Sequence, residues 1–324
     1  MKPLPFLPIF VLATLLSFAV WGAEAPAAGQ TQILKWKDGR TACFMLQFDD
    51  SAGSQLKNVV PELVKRKMIG TFYLVTGNSL YAHLKSQWEE AARSPYVVVA
   101  NHTFTHKGVN DTDELEPELA KCNEVLQALH PERKQPYLMA FGKPGGVPWI
   151  VPNDAFEAAL ARHHLINRPP FAGPPINYKS LEETLAVVDK AIAKGDLGYL
   201  VFHGVGGDWL VTPVDWFTAL LDKLEKERDQ LWITDTASWK KYVTERAAAA
   251  VKIVEAAPNR LRLQLTAKVD PTLYDEPLTL STSVPADWKT CQVEQGPAKI
   301  TVPVKNGAVQ YSAVPNGAEI VIRP

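Results

Sequence analysis

The chain has 324 residues, 46% of them hydrophobic and 21% charged, with a formal net charge of −1. That length and apolar content suffice for one large domain and a small one, with a substantial buried core. The neutral balance provides no field for steering nucleic acid or an anionic membrane, so an uncharged partner such as a sugar polymer is the expectation.

At the N-terminus, Lys2 precedes the apolar run PLPFLPIFVLATLLSFAVWG and the small residues of AEAPAAGQ. A positive start, a hydrophobic middle and a small-residue exit describe a secretory signal over residues 1–25. The run is nearly long enough to span a bilayer, but its prolines and small-residue exit favour cleavage over anchoring. The mature protein is therefore expected to be secreted or periplasmic, without a stable membrane span. Cys43, Cys122 and Cys291 are too few and too scattered for a disulfide framework or a thiolate cluster, so a metal would rest on oxygen and imidazole.

After the leader, ILKWKDGRTACFMLQF reads as a hairpin turning at Asp38-Gly39. From there strand-like and helix-like segments alternate. CFMLQF, GTFYLV, YVVVAN, PYLMAFG, GYLVFHG and LWITD are separated by segments such as LKNVVPELVKRK, ELEPELAKCNEVLQAL and PVDWFTALLDKLEKERDQ. Alternation of this length predicts parallel pairing and an α/β domain over residues 30–249. Polar residues collect at the C-terminal ends of several strands, which favours a (β/α) barrel over an open sheet. From residue 250 to 324 the texture changes to short alternating segments, RLRLQLTAKVD, PLTLSTSV, KTCQVEQ, KITVPV and AEIVIRP, which predict a small β-sandwich module.

Three motifs carry chemistry. FMLQFDD ends a buried-looking strand on Asp49 and Asp50, two like charges that resist joint ionisation unless a cation lies beside them. NHTFTH places His102 and His106 four positions apart, facing one way if the segment makes a helical turn. One carboxylate and two imidazoles are a ligand set for zinc, with iron or cobalt chemically possible, and the second Asp then remains free as a base. His203, ending GYLVFH, reads as a proton donor.

In this order and spacing, FDD, NHTFTH and LVFHG resemble the NodB-homology polysaccharide deacetylases, carbohydrate esterase family 4, over roughly residues 33–247. The resemblance implies a distorted (β/α) barrel that removes acetyl groups from sugars through a divalent metal, usually Zn2+. It assigns Asp50, His102 and His106 to the metal, Asp49 to the base and His203 to the acid. The implied partner is an acetylated polysaccharide or oligosaccharide, with N-acetyl removal expected ahead of O-acetyl removal. An O-acetyl xylan esterase is the alternative substrate reading, and a catalytically silent carbohydrate-binding protein is the alternative of another class.

Departures from the family pattern concentrate in its other motifs. Ser51 and Ala52 follow the Asp pair where the family has Gly-Pro. The family's third motif supplies an Arg that steadies the base; here FGKPGG is aligned with it, with Gly142 at the Arg position, Lys143 as substitute cation and Gly145 as the oxyanion N–H donor. The fourth motif, whose carboxylate orients the acid His, is not located; Asp154, Asp208 and Asp235 are the candidates. Trp149 and Trp209, in loops beside the third and last motifs, are the expected sugar-stacking residues.

Overall fold

The computed structural model describes residues 27–324, so the expected signal segment lies outside the described residues. The first strand among the described residues is β1 (Thr31–Ile33), and the hairpin expected at Asp38-Gly39 does not form. Instead, Lys37–Gly39 make a tight 3-10 turn with Asp38 in the left-handed region, and β1 pairs antiparallel with a strand near the other end of the sequence, Leu278–Ser283. The turn dipeptide redirects the chain from one sheet to another rather than folding it back on itself.

The α/β domain then runs β2 (Ala42–Asp49), a π-helical turn (Gln55–Val59), α1 (Val60–Arg66), β3 (Gly70–Leu74), α2 (Ser79–Ala91), β4 (Val97–Asn101) and α3 (Thr112–Ala128). It continues through β5 (Met139–Phe141), α4 (Asn153–Arg162), β6 (Leu165–Asn167), α5 (Leu181–Lys194), β7 (Leu197–Phe202), α6 (Val214–Lys226), β8 (Leu231–Ile233) and α7 (Thr236–Ala248). The strands form a seven-stranded, all-parallel sheet ordered β6-β5-β4-β3-β2-β7, with β8 pairing along the first residues of β2. The architecture is mixed α/β, a curled parallel sheet followed by antiparallel sheets. Strand β6 escapes a reading by pattern because three residues between His164 and Arg168-Pro169-Pro170 display no period.

Central strand β2 is buried along its whole length, and the period of two sorts its side chains. Phe44, Leu46 and Phe48 enter the helix-covered core, where the Phe48 ring centroid lies 4.7 Å from that of Phe72 and 5.5 Å from that of Phe202. Gln47 and Asp49 take the opposite face, inside the curl. There the Tyr73 hydroxyl donates to Gln47 Oε1 at 2.9 Å and lies 2.9 Å from Thr236 Oγ1, while Tyr73 packs on Ala100 and Ala140. Small and polar side chains fill this interior, so a carboxylate can enter it at the mouth.

Helix α7 passes without a loop into β9 (Ala249–Ala257). After it come β10 (Arg260–Ala267), β11 (Leu278–Ser283), β12 (Thr290–Gln295), β13 (Ala298–Pro303), β14 (Ala308–Ala313) and β15 (Asn316–Arg323). They make two antiparallel sheets, β1-β11-β14 and β13-β12-β15-β10-β9. The core they enclose, with Leu263, Leu280 and Ile320, continues into Trp36, Cys43, Trp232 and Tyr242 of the α/β part. The Tyr242 hydroxyl donates to the Leu34 carbonyl at 2.9 Å, tying α7 to the segment after β1. Cys43, Cys122 and Cys291 are all buried free thiols.

A chain ending at residue 249 leaves Trp36, Trp232 and Tyr242 without cover and β1 without its partner strand. Burial of each such side chain is worth roughly 1.5–3 kcal/mol, a large share of the ~5–15 kcal/mol that stabilises a typical domain. The truncated protein is expected to aggregate or to melt well below the full chain in a calorimetric scan. A soluble 250–324 deletion melting with the full chain would show that the module contributes no stability.

Candidate active site

The question posed by adjacent aspartates is answered by two different environments. Asp49, in phase with Gln47, points into the curl and is only 2% exposed. Arg168, directly after β6, meets it with a bidentate fork, Nη1 to Oδ1 at 2.5 Å and Nη2 to Oδ2 at 2.7 Å. Burial pushes the Asp49 carboxyl up, but the Arg168 guanidinium, with help from His102 and His203, outweighs it and holds the group below its ordinary range. Arg168 also lies 4.4 Å over the Tyr73 ring, so the curl interior fixes it from below.

Asp50 leaves the strand. It takes a left-handed φ of 74°, Ser51 follows at 57°, and the Ser51 hydroxyl accepts from the Val75 N–H at 2.9 Å. The turn carries the Asp50 carboxylate to the mouth, where Oδ1 lies 3.2 Å from both His102 Nε2 and His106 Nε2. Burial opposes ionisation of Asp50 too, but the hydrogen bonds with the two imidazoles hold its carboxyl far below the carboxylate range. The His106 imidazolium is favoured in turn, chiefly by its hydrogen bond to Asp50.

The two histidines do not converge through a helical turn. The segment after β4 is an irregular loop in which Thr103 and His106 have positive φ. Asn101 Oδ1 accepts from the Thr103 N–H, Thr103 Oγ1 accepts from the His106 N–H, and Glu118 of α3 accepts from Thr105. His102 Nδ1 lies 2.7 Å from the Gly142 carbonyl. A carbonyl only accepts, so Nδ1 carries a proton and Nε2 is the nitrogen turned to the mouth.

His203, one residue beyond β7, completes the cluster with Nε2 3.6 Å from Asp50 Oδ2 and 3.9 Å from Asp49 Oδ2. Gln55 pins the two strand ends together, its side-chain amide donating to the carbonyls of Asp49 at 2.6 Å and His203 at 2.9 Å. Burial pushes the His203 imidazolium pKa down against the pull of Asp49 and Asp50. Its Nδ1 is buried without a partner. Asp208 accepts instead from the Ser54 N–H, Asp235 caps α7 through the N–H groups of Ala237 and Ser238, and Asp154 is exposed in the first turn of α4. None of the three is seen bonded to His203.

Third-motif expectations need correction. Lys143 does not reach the base; its Nζ lies 5.0 Å from the Trp149 ring centroid and 5.4 Å from that of Phe156. Arg168 serves Asp49 in its place, and Gly142 is what makes room for it. A Cβ on Gly142 would stand 2.8 Å from Tyr73 and 3.1 Å from Arg168 Cζ. The signal for Arg168 was a lone cation before two prolines, a context that forces extended backbone but contains no periodic strand to place it on. Gly145 is exposed, with no heavy atom within 4 Å of where its Cβ would be. Trp149 spends its indole N–H on the Pro144 carbonyl at 2.9 Å and packs edge-on to Phe141 and Phe156, a scaffold role rather than an open stacking face. Trp209, 40% exposed, donates its indole N–H to Asp50 Oδ2 at 2.7 Å and stands at the mouth. With Asp50, Val75, Asn78, Thr105 and His106 it lines a cavity of about 260 Å3.

The donors of Asp50, His102 and His106 all lie within 4.8 Å of one another. Asp50 Oδ1, between the two imidazoles, is buried with no hydrogen-bond donor from elsewhere. A carboxylate and two neutral-capable imidazoles converging on one point fit a divalent cation.

The curled parallel sheet thus brings two carboxylates and three imidazoles to one mouth, a grouping able to hold a divalent cation. Residues 37–163 match the family described as polysaccharide deacetylase. Among solved structures, the chain is similar to a mutant of a carbohydrate esterase family 4 pseudoenzyme with restored activity (18% identity, 59% of this chain and 65% of that one, TM-score 0.44). It is also similar to a family 4 carbohydrate esterase from Streptomyces lividans in complex with acetate (15% identity, 59% and 91%, TM-score 0.42). A third is the peptidoglycan deacetylase PdaC from Bacillus subtilis (14% identity, 64% and 94%, TM-score 0.46). The chain thus spans just under two thirds of the pseudoenzyme's length. No curated protein matches the sequence.

Arg168→Met leaves Asp49 as an uncompensated buried charge, which costs about 3–5 kcal/mol, read as a lower denaturant midpoint. The folded-state pKa of Asp49 is depressed, so its contribution to stability is present above the unfolded value near 3.9 and is lost as pH falls through the folded value. Without Arg168, burial raises that pKa, and the acidic limb of the pH–rate profile should move to higher pH. An unmoved limb would mean that Arg168 does not set the ionisation of Asp49. Gly142→Ala should displace Arg168 by overpacking, with a loss of about 1–3 kcal/mol in the same unfolding assay.

Proposed function

We propose that this protein is an exported, metal-dependent carbohydrate deacetylase that hydrolyses acetyl groups on sugars, N-acetyl groups of aminosugar chains foremost. The observation that carries the reading is one ionised Asp buried against an Arg beside a second Asp that converges with two histidines. Asp50, His102 and His106 would hold the cation, Zn2+ in the first instance. Bound there, a divalent cation supplies Lewis-acid chemistry, acidifying a water and polarising an acetyl carbonyl. Export rests on the apolar leader and is part of the same proposal.

The protein's own groups account for the proton movements. Asp49 takes a proton from the water that attacks the acetyl carbon, and Arg168 keeps it ionised and aimed until then. The C–N bond then breaks, the nitrogen takes a proton from His203, and acetate and a free amine leave. Burial lowers the pKa of the His203 imidazolium, so His203 takes up from solvent the proton that it passes to the nitrogen. The Phe171 ring, its centroid 5.4 Å from that of His203, packs beside the imidazole.

One observation favours the ester reading. An amine leaves a tetrahedral intermediate only once its nitrogen is protonated, whereas an alkoxide departs with weaker acid assistance. His203 lacks an orienting carboxylate, and O-acetyl esters make the smaller demand on it.

Acetate release by the zinc-loaded protein on chitooligosaccharides and on acetylated xylan, compared with Asp49→Asn, separates the readings. The expected result is release from the aminosugar oligomer, reduced at least 100-fold by the substitution and reversed by chelation. Release from xylan alone would assign the ester activity. Release from neither, with one zinc bound per chain, would sink the deacetylase reading in favour of a sugar-binding protein.

A further inference from the structure

We infer that Trp209 is a positioning residue for the metal ligand Asp50, so that the loop after β7 sets the cation affinity of a site built by other strands. This rests on the proposed metal-dependent reading and extends it to a residue first expected only to touch sugar.

The contact is a built one. The indole N–H is a donor with no acceptor capacity, and it meets Asp50 Oδ2 at 2.7 Å. That leaves Oδ1, which lies 3.2 Å from each imidazole Nε2, as the oxygen offered to the mouth. A carboxylate with both oxygens free can rotate or chelate through both; one oxygen held by a fixed donor presents the other alone. Hydrogen-bond partners of ligating carboxylates commonly alter metal affinity 10–100-fold.

The loop that presents Trp209 is over-determined. Its backbone closes on itself through Gly204 N–H to Trp209 O at 2.9 Å, Thr212 N–H to Gly204 O at 2.8 Å and Gly206 N–H to Thr212 O at 2.9 Å. It is anchored to the turn after β2 by Ser54, whose N–H donates to Asp208 Oδ2 at 2.7 Å and whose Oγ accepts from the Val205 N–H at 3.1 Å. Asp208 and Leu210, flanking Trp209, have φ of 64° and 46°, and a Cβ on Gly204 would stand 1.9 Å from the Gly207 carbonyl. Strained backbone on both sides of a surface tryptophan persists only where the surroundings enforce it. The indole is half in solvent, so core packing does not explain the constraint.

The test is zinc affinity of the metal-free protein, by competition with a chromophoric chelator, for wild type, Trp209→Phe and Trp209→Leu. Both variants lack the N–H donor, and Phe keeps an aromatic face. The expected result is a Kd raised about 10–100-fold in both, with the thermal midpoint of the metal-free protein unchanged. The visible spectrum of the Co2+ form should also change, because the Asp50 carboxylate is no longer restricted to one oxygen. Trp149→Phe, outside the site, should leave affinity and spectrum as in wild type. Zinc affinities of the Trp209 variants within twofold of wild type would overturn the inference and leave the deacetylase reading standing. A wild type that binds no zinc would sink both, and weakened zinc binding in variants of a protein that releases no acetate would sink the deacetylase reading alone.

Discussion

The architecture of the candidate site depends on keeping one buried carboxylate charged. Asp49 sits at the end of a strand enclosed on both faces, where an isolated negative charge would take up a proton instead. Arg168 prevents this by filling both carboxylate oxygens, and much of the surrounding sequence exists to seat that guanidinium. Tyr73 lies beneath it, Gly142 gives it room, and the Gly142 carbonyl at the same point fixes the tautomer of His102. Asp49, Arg168 and His102 are thus coupled through a few ångströms of backbone.

Around this pair the backbone is bent against its preferences. Asp50, Ser51, Thr103, His106, Asp208 and Leu210 all take positive φ without being glycine, and all lie at strand ends around the mouth. Such conformations cost of order 1–3 kcal/mol each and persist where packing enforces them. They do what regular structure cannot: a strand alternates its side chains, so Asp49 and Asp50 would point to opposite faces if β2 continued. The left-handed turn brings both carboxylates to one cavity with different duties.

The β-module stabilises this arrangement from the far side. Its core runs on into Trp232 and Tyr242, and the first described strand of the chain is paired with it rather than with the α/β sheet. β2 enters that shared core at its start, through Cys43, and reaches the mouth at its end, with Asp49. The mouth loops thus carry charge, strain and exposed aromatic surface while these apolar contacts lie at the other end of the strand.

Much of this was legible in the sequence. Alternating strand and helix periods predicted the parallel α/β domain, the shift to short alternating segments predicted the antiparallel module, and FDD, NHTFTH and LVFHG singled out the five residues that the fold brings together. These signals are local, because periodicity and strand-end motifs depend on neighbours in the chain. What the sequence could not place is every feature that depends on a distant partner. Asp38-Gly39 reads as a hairpin turn, yet β1 finds its partner near residue 280 because the open edge of the module is available there. Lys143 is the nearest cation in sequence to the expected third motif, but Arg168 is the nearest in space. Trp209 was legible as an exposed aromatic, not as the donor that holds Asp50. Local chemistry determined which residues have the means to act; the parallel sheet, which sets strand ends side by side regardless of their separation along the chain, decided which of them meet.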